Sequence, residues 1–163
     1  MYKPFDQMPA NARIWTYTST RRFDKDELEI LSSRLSAFCE QWNTHGALMP
    51  TSFEIQFDQV IILAVDESRL GASGCSIDSS VRVLRDIENE LDIDLLNQGK
   101  VSFIKSEGDL EVNPILGIKS KVTEGILQAE TIVLNPVVKN KADLENNWKI
   151  KAKESWLNKF FEN

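Results

Sequence analysis

The run VIILAV, Val60 to Val65, constrains this chain more than any other stretch. Six consecutive apolar residues, most of them β-branched, describe a strand. Successive strand side chains point to opposite faces, so this strand must be covered on both sides. The preceding segment, FEIQF, alternates Phe53, Ile55 and Phe57 with Glu54 and Gln56 and buries one face only. Asp58 and Gln59 between them read as a tight hairpin turn.

The flanking segments supply the rest of a pattern. RIWTYTST, Arg13 to Thr20, is rich in β-branched and aromatic residues and reads as a strand. FDKDELEILSSRLSAFCEQW then reads as a helix, with Asp24 as N-cap, Glu27 completing a capping box, and Phe23 and Leu28 as a hydrophobic staple. Leu28, Leu31, Leu35, Phe38 and Trp42 form its buried stripe, with Cys39 as a small buried neighbour. After VIILAV, the spacing of Ile77, Val81, Leu84, Ile87 and Leu91 predicts a second helix, and VSFIKS, Val101 to Ser106, a fourth strand.

The resulting order, β-α-β-β-α-β, is α+β and ferredoxin-like, with VIILAV in the sheet interior and FEIQF at an edge. The expected organisation is a ferredoxin-like core over residues 1–106 and a C-terminal β/α appendage over residues 107–163. Two helices cover one face of such a sheet. The appendage, or the second subunit of a homodimer, must cover the other. TIVLNPVV within the appendage reads as an edge strand because of Pro136, and Trp148 and Trp156 read as docking groups.

Charge narrows the function classes. With 25 acids against 19 bases the net charge is -6, which disfavours neutralising nucleic-acid phosphates or docking on an anionic membrane surface. RNA-recognition domains share the βαββαβ order but stack bases on aromatics of the central strands. VIILAV has none, and Trp15 and Tyr17 read as core. No run of ~20 apolar residues suggests a membrane span. The start, MYKPFDQMPANARIW, lacks the apolar segment of a secretory signal. Two cysteines make no disulfide framework, so a reduced, cytoplasmic protein is expected. Neither nucleic acid nor membrane is expected as a partner.

Chemistry concentrates in DESRLGASGCSIDSS, Asp66 to Ser80, between a strand and a helix. It lacks the GxxxxGK[ST] loop a nucleotide hydrolase needs, and the chain has no GxGxxG. One histidine and two separated cysteines offer no metal-ligand spacing, and Asp66, Glu67 and Asp78 read as solvated or capping carboxylates. No metal and no cofactor is expected. Free N–H groups at a helix start favour an anion. Glu67, Ser68, Ser73, Gly74, Ser76, Asp78, Ser79 and Ser80 are therefore the candidate ligand-binding residues, with Gly71 and Gly74 expected to adopt conformations closed to other residues. Ser76 or Asp78 is the expected N-cap. Cys75 sits at the helix start, where the dipole stabilises negative charge. Cys75, His45 as base and Asp66 as orienter are the candidate catalytic set.

WNTHG, FEIQF, VDES, GASGCSIDSSV, ETIVLNPVV, LENNW and ESW together resemble a family of small bacterial proteins often labelled "ABC transporter ATPase". The residues do not carry that label, since the lysine loop and an LSGGQ-like signature are both absent. The resemblance covers most of the chain, names no ligand, and points to Trp42, His45, Gly46, Asp66, Glu67, Ser68 and the segment Ala72 to Ser80. Two function classes follow. One is a non-catalytic binding or interaction module holding a small anionic ligand or a protein partner at the Asp66–Ser80 loop. The alternative is a cysteine-dependent enzyme with a Cys75 nucleophile and a His45 base.

Overall fold

The computed structural model describes residues 1–162. Along the chain run β1 (Arg13–Thr18), α1 (Lys25–Gln41), the two-residue strands β2 (Asn43–Thr44) and β3 (Ala47–Leu48), β4 (Thr51–Gln56), β5 (Val60–Val65) and α2 (Gly74–Leu91). There follow β6 (Lys100–Ile104), β7 (Leu110–Pro114), α3 (Ile118–Thr123), β8 (Ile132–Leu134), α4 (Lys141–Asn147) and β9 (Lys149–Lys151), with short 3-10 turns between and after. The class is α+β with antiparallel sheets.

The capping box forms at α1. Glu27 N–H donates to Asp24 Oδ1 at 2.8 Å and Asp24 N–H donates back to Glu27 Oε1 at 2.9 Å. Arg21 closes on the same carboxylate with two bonds of 2.8 and 2.7 Å. Leu31 and Leu35 of α1, and Trp42 just past its end, reach the core.

The first sheet has the order β1-β5-β4, so VIILAV is central. The hairpin before it is wider than the sequence suggests. Gln56 pairs with Val60, so Phe57, Asp58 and Gln59 all lie in the loop, with φ of 57° and 50° at Phe57 and Asp58. Phe57 thereby leaves the alternation of β4 and packs on the opposite face from Phe53 and Ile55.

The fourth strand corrects the sequence expectation. Lys100–Ile104 does not join β1. It founds a second sheet in the order β7-β6-β8-β9, so the ferredoxin-like order does not form. A tight turn explains this: Lys105 N–H donates to Asp109 O at 2.8 Å, with Gly108 at φ 89°. Closing so short a loop costs less chain entropy than a return across the first sheet. The outer edge of β1 is meanwhile filled by other groups. Ile14 N–H donates to Lys139 O, Lys141 N–H to Ala12 O, and buried Lys100 Nζ to Thr18 O at 2.5 Å. The β6–β7 hairpin runs across residue 106, so the second sheet starts before that position. Nor is β8 an edge, since it lies between β6 and β9 with Pro136 beyond its end.

Four layers result. Ile61, Leu63 and Val65 of β5 face α1 and α2 with Leu35, Leu84 and Ile87. Val60, Ile62 and Ala64 face the second sheet, Leu134, Leu144 and Trp148. The second sheet turns Val101, Phe103 and Val133 outward onto Ile118, Leu127 and Leu157. Both faces of VIILAV are covered within one chain. Trp148 lies in the inter-sheet core, whereas Trp156 is 42% exposed. Among the described residues no helix is long and apolar enough to cross a membrane.

Candidate functional site

The Asp66–Ser80 segment leaves the end of β5 and opens α2. Its N-cap is Ser73, not Ser76 or Asp78: Ser73 Oγ accepts from Ser76 N–H at 3.1 Å. The helix therefore starts three residues before Ile77, and its buried face at this end is Ser76 and Ser80 instead of Ile77 and Val81. Small serines let the helix approach the core closely. Their hydroxyls turn back on their own helix, Ser76 Oγ–H donating to Ser73 O at 2.8 Å and Ser80 Oγ–H to Ile77 O at 2.6 Å. Burial pushes the Tyr17 phenol up from its ordinary value, and the nearby Ser80 hydroxyl draws it partly back. Half-buried Ser79 donates to Cys75 O at 3.0 Å, and Asp78 stands exposed on the helix without a capping role.

The loop is held from two sides. Glu67 folds back so that its Oε2 accepts from Ala72 N–H at 2.7 Å, with Arg13 at 3.7 Å. Asp66 Oδ1 accepts from Ser68 N–H at 3.0 Å, and the Ser68 hydroxyl and backbone together hold the Asp66 carboxyl below the usual range. On the other side the β2–β3 hairpin docks on the helix start. Trp42 Nε1–H donates to Ser76 O at 2.8 Å, and buried Thr44 Oγ accepts from Ser73 N–H at 3.2 Å. Neither Gly71 nor Gly74 has positive φ, contrary to the sequence expectation. A Cβ on Gly74 would meet open space, while one on Gly71 would lie 3.3 Å from the Glu67 carboxylate.

The candidate triad does not assemble. His45 occupies the tip of the β2–β3 hairpin at φ 50°, followed by Gly46 at φ 79°. Those two positive φ values are those of a type I′ turn. His45 and Cys75 are both exposed, and Asp66 is bound into its own turn. Among the described residues no hydrogen bond or ion pair links His45 to Cys75 or to Asp66. Cys39 is fully buried, and burial pushes its thiol up to about 12. Among the described residues no three His, Cys, Asp or Glu side chains are grouped to hold a metal.

What the loop does expose is a cleft of about 470 Å³ between it and the β3–β4 connection. Leu48, Met49, Pro50 and Leu70 form its apolar walls, and Lys3, Arg69 and Asp66 its charged rim. Leu48 is 53% and Leu70 43% exposed. Lys3 and Arg69 are close enough to help keep Asp66 ionised. Sequence reading passed over Leu48, Leu70 and Arg69. The available signal was an isolated leucine beside arginine in a loop of serines and glycines, SRLG. Compared with models of protein families, with curated proteins and with solved structures, the chain matches none.

Proposed function

We propose that the protein is a non-catalytic interaction module whose cleft beside the Asp66–Leu70 loop holds a segment of a protein partner. One observation carries this reading. The backbone N–H groups of Ala72, Ser73 and Ser76 are already engaged by Glu67, Thr44 and Ser73, whereas Leu48 and Leu70 remain exposed beside two cations. Engaging these three donors internally weakens the attraction for a small anion. Exposed leucines next to Lys3 and Arg69, on a chain of net charge -6, suit a bulky apolar side chain flanked by a carboxylate. The cysteine-enzyme alternative lacks a base in contact with Cys75, and the ATPase label lacks a phosphate-binding lysine loop.

Selection of a displayed random-peptide library against the full chain tests this. The recovered peptides should pair a large apolar residue with Asp or Glu. Leu70→Asp and Arg69→Glu should each weaken them by about tenfold or more, the scale of a hot-spot loss, and Cys75→Ser should not. Peptides indifferent to both substitutions would remove the reading. Rapid iodoacetamide alkylation of Cys75 at mildly acidic pH, slowed by His45→Ala, would put the enzyme in its place.

A further inference from the structure

The cleft beside Leu70 is short, and it carries charge next to its apolar walls. At about 470 Å³ it has the size of a small-molecule site, not of a groove for a long segment. Lys3 and Arg69 at its rim take part in no ion pair among the described residues. They act on Asp66 only through space, while Ser68 holds that carboxylate in its own turn. Met1 also lines the cleft, and its ammonium is taken up by three carbonyls, Cys39 O, Glu40 O and Met49 O. Lys3 and Arg69 against Asp66 leave one net positive charge among the rim side chains, which one carboxylate balances.

Where the partner carries that carboxylate follows from spacing. Arg69 and Leu70 are consecutive, and one short cleft holds both the leucines and the cations. The partner must therefore present its charge close to its apolar group. In an extended segment an acid next to the apolar residue points to the opposite side, and the next acid on the same side is about 7 Å further along. The last residue of a chain differs, because its carboxylate is bonded to the same Cα that carries the apolar side chain. It is also planar, the shape an arginine fork grips with two parallel bonds. We propose, resting on the interaction reading above, that the occupant is the free C-terminus of a partner protein whose last residue is large and apolar. Its side chain lies between Leu48 and Leu70, and its terminal carboxylate lies on Arg69 and Lys3. In a segment without a free end, an Asp or Glu side chain is the weaker substitute.

The test sets the full chain against two displayed random-peptide libraries, one with free C-termini and one with the C-termini joined to the carrier. Binders from the free-end library should finish in Leu, Ile, Met or Phe. They are then synthesised as free acids and as C-terminal amides and titrated by fluorescence anisotropy from an N-terminal dye. The acids should bind about tenfold or more tightly than the amides, the scale of a lost charge-assisted hydrogen bond. Lys3→Gln combined with Arg69→Gln, both at exposed positions, should make acid and amide bind alike, and Leu70→Asp should weaken both. Peptides that bind equally as acid and amide through an internal Asp or Glu, and are still lost in Leu70→Asp, would overturn the C-terminal assignment and leave the interaction reading standing. An acid preference retained in the double variant would overturn it too. So would N-acetyl-L-leucine binding as tightly as the peptides, which would give the cleft to a small carboxylate. No binder from either library, or binders indifferent to Leu70→Asp, would remove both readings.

Discussion

Replacing Glu27 by Gln tests the most strongly perturbed carboxylate at the start of α1. Glu27 accepts two bonds from Arg21 and one from Asp24 N–H, and these lower its carboxyl from the ordinary 4.5 to about 2, Arg21 first. At 1.36 kcal/mol per pH unit, that difference corresponds to at most about 3.4 kcal/mol. The Arg21 side chain is 46% exposed, so solvent screening takes a large share. About 2 kcal/mol is expected, and for a chain this size that is about 4–8 °C in Tm. The sign follows from the direction. A carboxyl depressed in the folded state stabilises above its unfolded value of about 4.5, and the contribution is lost as pH falls through about 2. Urea unfolding of wild type and Glu27→Gln should therefore differ by about 2 kcal/mol near neutrality and converge towards about pH 2. Curves that stay parallel across that interval would refute the reasoning. So would a variant as stable as wild type at neutral pH.

Three further outcomes are expected. In the native protein iodoacetamide should modify Cys75 alone, with Cys39 reacting only after unfolding, as read by intact mass; modification of Cys39 in the native fold would contradict its burial. Trp148→Ala should cost about 3–5 kcal/mol in a denaturant melt because it empties the space between the sheets, while Trp156→Ala should cost less than about 1 kcal/mol. His45→Asn should stabilise by about 0.5–1 kcal/mol, since asparagine accepts the left-handed conformation that His45 holds at φ 50°; a loss of stability would mean that the imidazole makes a contact the turn needs.

What the sequence determined by itself was local or periodic. The capping box of Asp24 and Glu27, the stripe of α1 and the central place of VIILAV depend on neighbours a few residues apart or on one strand's own pattern. The demand for cover on both faces of VIILAV was equally legible, because a doubly apolar strand allows nothing else. Tertiary structure alone decided where the fourth strand went. VSFIKS carries a strand pattern compatible with either sheet, and the choice came from the cheap turn at Lys105–Asp109 and from Lys139 and Lys100 filling the edge of β1. The site divided in the same way. The Asp66–Ser80 stretch was visible by composition, but composition cannot say which acceptor meets which donor. Thr44 reaching Ser73, Trp42 reaching Ser76 and Glu67 reaching Ala72 turned an apparent anion cradle into a self-capped helix start. Two of those three contacts join segments about thirty residues apart, and only the packed chain brings them together.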